Sequence, residues 1–276
     1  MHHIKTADGT ALYAREWGTG PTIVLIHGWP LDADMWEYQA VPLAEQGYRV
    51  IAYDRRGFGR SSQPWTGYDY DTLADDLKMV MDTLKVEDAL LVGFSMGGGE
   101  AARYMSRHGG KGVSRVAFVS AVTPFLLKTA DNPEGVDQSV FDEIIDGLRT
   151  DRQHFLAGFA KKFFGVGLLS SPVSQEVMDW SFNMAMLGSP RATIGCGKAF
   201  ATTDFRQDRA AIHVPTLVIH GDADETVPFE SSGKRTAQMI QGSQLVVYSG
   251  APHGLQMTEK DRLVSDLASF ARTGRV

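Results

Sequence analysis

The sequence predicts an α/β protein, built on a mostly parallel, twisted sheet of about eight strands flanked by helices and interrupted by a helical insertion. Three observations carry this. Short apolar runs recur along the chain, stretches with helical periodicity separate them, and one long stretch, 124–204, breaks the alternation without a strand-like run. Apolar runs that lack polar alternation are buried on both faces, and alternating strand and helix units imply a parallel sheet covered by helices.

The elements follow in order. Asp8-Gly9 supplies the turn of a hairpin between strands at 4–6 and 11–17. Four buried strands come next: Ile23-Val24-Leu25-Ile26, Val50-Ile51-Ala52-Tyr53, Ala89-Leu90-Leu91-Val92 and Val116-Ala117-Phe118-Val119. A helix at 72–85 presents Leu73, Leu77, Val80, Met81 and Leu84 on one face. Thr216-Leu217-Val218-Ile219 and Leu245-Val246-Val247-Tyr248 add two strands, and a last helix is expected from Thr258, its N-cap, with Leu263, Leu267 and Phe270 inward. The core is thus expected to comprise 1–123 and 205–276. The segment 124–204, rich in Phe and Met, is expected to cap the carboxyl ends of the strands, where parallel sheets bind ligands.

Composition excludes several functions. The 276 residues are 43% hydrophobic, enough for a full core without a disulfide or metal staple. Cys196 is the only cysteine, which rules out an intrachain disulfide framework and a cysteine zinc cluster and points to a reducing compartment. A net charge of −6 argues against a nucleic-acid partner, and Arg55, Arg56 and Arg60 form the one notable basic cluster. No apolar run is long enough to span a membrane, and Met1-His2-His3-Ile4-Lys5 lacks the apolar core of a signal peptide, so the expected location is the cytoplasm. G-x-G-x-x-G, P-loop and H-E-x-x-H patterns are missing, so neither a cofactor nor a metal is expected. Asp75 and Asp76 are read as solvated acids on a helix exterior.

The strongest chemical signal is Gly93-Phe94-Ser95-Met96-Gly97, directly after one strand and before a helix. In such an elbow a serine hydroxyl is exposed at a strained turn, with small residues two positions away on each side. An idle serine in a glycine-lined turn is the alternative, and the flanking strand and helix argue against it. A serine needs a base to attack at neutral pH, and a carboxylate to orient that base. Setting aside terminal, helical and pre-strand histidines leaves His27, His220 and His253. His253 follows the last strand, at the carboxyl end of the sheet. Asp222 and Asp224 both follow the preceding strand; one would serve as the acid while the other holds the loop through backbone N–H groups. For the oxyanion, Met96 offers the N–H at the helix start. Pro30 has none, so Trp29 in His27-Gly28-Trp29-Pro30 offers the second.

These residues together resemble the α/β-hydrolase superfamily, and within it the arylesterase and cofactor-free (non-haem) haloperoxidase-perhydrolase group. The likeness spans nearly the whole chain, including Asp32-Ala33-Asp34-Met35-Trp36, the Tyr53 to Ser61 segment, Val122-Thr123-Pro124, Thr203-Asp204-Phe205 and both triad loops. It implies the α/β-hydrolase fold and a triad of Ser95, Asp224 and His253, with Trp29 and Met96 as the oxyanion hole. The arginines of the Tyr53 to Ser61 segment are implied to be structural. The likeness places Phe159, Phe163 and Phe200 in the acyl pocket, joined by Val122 and Val227. Thr226 stands where relatives commonly carry an aliphatic residue.

The implied activity is hydrolysis of small acyl or aryl esters through an acyl-enzyme, with water or hydrogen peroxide as acceptor. Peroxide would give peracids that oxidise halides without the enzyme. Pro30 resembles the haloperoxidase members and is expected to set the Trp29 carbonyl where it can accept a hydrogen bond from peroxide. Relatives resemble trimers or higher assemblies, which implies a homo-oligomer. Two other readings use the same residues: an amidase or lactamase on small cyclic amides, and a non-catalytic ligand-binding protein on the same fold. A haloalkane dehalogenase would need an aspartate at position 95.

Overall fold

The computed structural model describes residues 1–168 and 170–276. Its sheet has eight strands: β1 (His2–Lys5), β2 (Ala11–Trp17), β3 (Thr22–Ile26), β4 (Arg49–Tyr53), β5 (Ala89–Phe94), β6 (Val113–Val119), β7 (Thr216–Gly221) and β8 (Gln244–Tyr248), in the spatial order β1-β2-β4-β3-β5-β6-β7-β8. β1 and β2 form the antiparallel hairpin, β2 runs antiparallel to β4, and every later pairing is parallel. The first strand begins earlier than the apolar pattern suggests. Thr6 instead closes the turn, its N–H donating to the Thr10 carbonyl at 2.9 Å while Gly9 takes φ 87.

Helices cover both faces. α1 (Glu37–Glu45) lies on one face together with α10 (Lys260–Thr273); α2 (Tyr70–Thr83) and α3 (Met96–Arg107) lie on the other. Alternate strand residues separate the two cores: Val24 and Ile26 join Leu73 and Leu77 of α2, whereas Ile23 and Leu25 join Leu263 and Leu267 of α10. α2 is capped by Asp69, whose Oδ1 accepts the Thr72 N–H at 2.9 Å. Asp76 is not solvated. It is 2% exposed and accepts from Arg56 at 2.6 and 2.7 Å, and Arg56 also reaches Asp8 at 2.8 Å.

Between β6 and β7 run α4 (Gln138–Thr150), α5 (Arg152–Phe164), α6 (Gln175–Leu187) and α7 (Pro190–Thr202). Cys196 on α7 is fully buried, and burial pushes its thiol up to about 12. After β7 come α8 (Gly233–Met239) and then, beyond β8, α9 (Leu255–Thr258). Thr258 therefore ends a helix instead of starting one. The backbone breaks at Glu259, with φ −124 and ψ 30, before α10 begins.

Candidate active site

Ser95 occupies the turn between β5 and α3, at φ 54 and ψ −119. A non-glycine residue in the left-handed region is strained, and its surroundings must hold it there. The Ser95 N–H donates to Val119 at 2.9 Å, and its carbonyl accepts from Gly98 at 3.0 Å and Val122 at 3.2 Å. The chain folds back so closely that a Cβ on Gly93 would collide with the Gly97 backbone, which is the physical reason for the small residue there.

The loops after β7 and β8 bring the other two groups to this turn. His253 Nε2 lies 2.9 Å from Ser95 Oγ, and its Nδ1 lies 2.6 Å from Asp224 Oδ2. With a carboxylate on one side and a hydroxyl on the other, Nδ1 carries the proton and Nε2 is free to accept one; this tautomer is assigned from the partners. Asp224 Oδ1 accepts the N–H groups of Thr226 and Val227 at 2.9 and 2.8 Å. Burial alone would push the Asp224 carboxyl up. The close approach of His253 and the hydrogen bonds from His220 and His253 outweigh it and hold the group well below the usual carboxylate range. Asp222 does different work, its Oδ1 accepting the Gly250 N–H at 2.6 Å and so tying its loop to the one that carries His253.

His220 is a partner that motif reading missed. Its Nε2 lies 2.9 Å from the Val227 carbonyl and 3.2 Å from Asp224 Oδ2, the same oxygen that meets His253, so it braces the acid beside the imidazole. The four-residue spacing between His220 and Asp224 was the available signal. His27 lies elsewhere, beneath the elbow, where its Nε2 accepts the Arg55 N–H at 2.9 Å. Burial, followed by the nearby Arg55 charge, keeps its pKa well below the usual histidine value.

Two backbone N–H groups, those of Met96 and Trp29, are left without backbone acceptors. Met96 is the first residue of α3, so its N–H has no acceptor within the helix. The Trp29 N–H makes no backbone hydrogen bond among the described residues. The Trp29 indole fixes its loop: Nε1–H donates to the Thr193 carbonyl at 3.0 Å, and the ring meets Phe159 and Phe200 edge-on at 5.2 and 5.5 Å.

Above Ser95 lies a cavity of about 40 Å³. The structure places Trp29, Val122, Phe159, Phe200 and Val227 on its wall together with Leu126, Val136, Val140, Phe141, Ile144 and Thr226. Phe163, expected on this wall, lies behind it. Its ring packs edge-on against His253 at 5.0 Å, so it backs the imidazole. Pro30 is also off the wall, buried in the Trp29 loop and joined to Trp29 by a cis peptide. Among the described residues no group of three or more His, Cys, Asp or Glu could hold a metal, and no helix is long and apolar enough to cross a membrane.

Sheet order, elbow and the two following loops define an α/β hydrolase. The chain belongs to the alpha/beta hydrolase fold family, which its residues 21–260 match. It is 41% identical to a non-heme chloroperoxidase of Kitasatospora aureofaciens, over 96% of this chain and 97% of that one. It is 39% identical to a bifunctional esterase/perhydrolase of Acinetobacter calcoaceticus, covering 99% and 100% of the two chains. Among solved structures it superposes on a bromoperoxidase from Bacillus anthracis with a TM-score of 0.94 at 45% identity, covering 97% and 98%.

Proposed function

We propose that the protein is a serine carboxylic-ester hydrolase for small acyl and aryl esters that also carries out perhydrolysis. The observation that carries this reading is the continuous hydrogen-bonded line from Ser95 through His253 to Asp224, opening on an apolar cavity. Non-heme haloperoxidase and esterase/perhydrolase relatives over nearly the full length support it.

In this reading His253 takes the Ser95 proton as Oγ attacks the ester carbonyl, and the N–H groups of Trp29 and Met96 stabilise the oxyanion. His253 then protonates the leaving alcohol. Water or hydrogen peroxide, activated by the same imidazole, releases the acid or the peracid, while Asp224 stays ionised throughout. The segment 124–204 acts as a cap, and the small cavity favours short apolar acyl groups over charged ones. A cytoplasmic setting and assembly as a homo-oligomer of three or more copies complete the proposal.

The decisive experiment compares wild type with Ser95→Ala on p-nitrophenyl acetate and with a fluorophosphonate probe. Hydrolysis and labelling should both be lost while Tm is kept, and a loss of only a few fold would overturn the assignment. The ratio of peracetic acid to acetate formed in peroxide should fall in Pro30→Leu. An unchanged ratio would remove the role given to Pro30.

A further inference from the structure

The cavity wall is apolar with one exception. Apart from Ser95 and His253, Thr226 is the single polar side chain among the described lining residues. Its backbone N–H is committed to Asp224 Oδ1, which fixes the residue in place. Its Oγ1 is buried and has no hydrogen-bond partner. Native proteins satisfy nearly all buried polar atoms, and a hydroxyl left without a partner is destabilising where valine would fill the same space. The protein itself therefore supplies no partner for the hydroxyl of a residue that borders the cavity.

Thr226 also lines a second, outer cleft of about 490 Å³, which shares Val136, Val140, Ile144 and Phe159 with the inner cavity. It is thus one of five residues that border both the space of about 40 Å³ at Ser95 and the larger cleft, and this shared border forms the neck between them. The charged side chains of Glu143, Lys162 and Glu225, together with His154, line only the outer cleft. A substrate held at Ser95 that extends into the outer cleft runs along this shared border, Thr226 included.

We infer that Thr226 is a specificity-determining residue whose hydroxyl hydrogen-bonds an oxygen-bearing substituent of the substrate at the neck. The esters this site prefers then carry a hydroxyl or oxo group a few atoms from the scissile carbonyl, on the acyl or the alcohol side. A threonine hydroxyl both donates and accepts, so either group is served once a turn about χ1 brings Oγ1 to the cavity. This inference rests on the serine-ester hydrolase reading.

The test measures kcat/KM for ethyl butyrate, ethyl 3-hydroxybutyrate and 2-hydroxyethyl butyrate in wild type, Thr226→Val and Thr226→Ser. For at least one hydroxylated ester the preference over ethyl butyrate should fall about three- to tenfold in Thr226→Val, the size of one ordinary hydrogen bond, and recover in Thr226→Ser. The ester that responds identifies the acyl or the alcohol side. A second readout needs no turnover: Tm of ligand-free Thr226→Val should equal or exceed that of wild type, because the variant loses an unpaired hydroxyl. Preferences equal in wild type and Thr226→Val for both hydroxylated esters would overturn the inference, as would a lower Tm for the valine variant. Should Thr226→Val not fold, that outcome shows a structural partner for the hydroxyl and equally overturns it. Failure of wild type to hydrolyse any ester would instead refute the underlying reading.

Discussion

The two sides of Ser95 are built on opposite terms. Below the elbow, polar groups are buried and paired: Arg55 donates to Glu100 at 2.8 Å and to the His27 carbonyl at 2.8 Å, Tyr53 bonds Glu100, and Asp54 accepts from Ala33 and Arg60. Above it, the cavity wall is almost wholly apolar and makes few directional contacts. A paired polar network resists repacking because each broken bond strands a buried partner, whereas an apolar wall accepts changes of volume. The lower side therefore holds the strained serine in place, and the upper side is where substrate preference can change without loss of the fold.

This contrast breaks most visibly at Arg55. Arg55→Met leaves Glu100 buried without its cation and should lower unfolding free energy by about 3–5 kcal/mol, read by urea titration. Adding Glu100→Leu should restore part of it. An unchanged midpoint in the single variant would mean that the network is not what supports the elbow.

A smaller effect sharpens the same side. Asp32 is fully buried, with Oδ1 accepting the Asp34 N–H at 3.0 Å and Oδ2 without a partner. Burial, then the neighbouring Asp54 carboxylate, raises its pKa to about 7. Because the folded value lies above the unfolded one, the stability this group contributes is present below pH 4 and lost as pH rises toward 7. Asp32→Asn keeps the capping oxygen and removes the charge. It should be more stable than wild type by up to a few kcal/mol at pH 8 and close to it at pH 4. Equal gains at both pH values would show that the buried charge is not the cause.

The smallest change concerns the upper side. Phe159 is half-buried and meets the Trp29 ring, so Phe159→Ala enlarges the cavity. Its kcat/KM for hexanoate relative to acetate esters should rise about tenfold, the discrimination expected for a few methylenes in an apolar pocket. An unaltered chain-length profile would place the acyl group elsewhere.

The same contrast explains what the sequence made legible. Residues of the lower side come from short contiguous patterns, His27-Gly28-Trp29, the Tyr53 to Ser61 segment and the elbow, where each residue type has a specific local task. Six strands were readable because an apolar run between turn residues has few other uses, and the first two because Asp8-Gly9 marks a hairpin turn. The upper wall was only partly readable. Val136, Val140, Phe141 and Ile144 fall at spacings that any amphipathic helix shows, so nothing separates a residue facing the cavity from one facing the core. Asp76 was misread for a related reason, since its partner Arg56 lies 20 residues away and no local pattern announces the pair. Phe163 fell one layer too deep, because aromatic residues one helical turn apart on α5 share a face while only Phe159 reaches the cavity.

α7 contributes Phe200 to the cavity, anchors the Trp29 indole through the Thr193 carbonyl, and carries the only thiol of the chain. With Cys196 fully buried and its pKa pushed up to about 12, an alkylating reagent meets no reactive thiolate in the closed protein. Its reaction rate then reports every event that uncovers Cys196, from local opening around α7 to global unfolding. A residue with no part in the chemistry becomes a probe of how tightly the helix behind the Trp29 indole is packed.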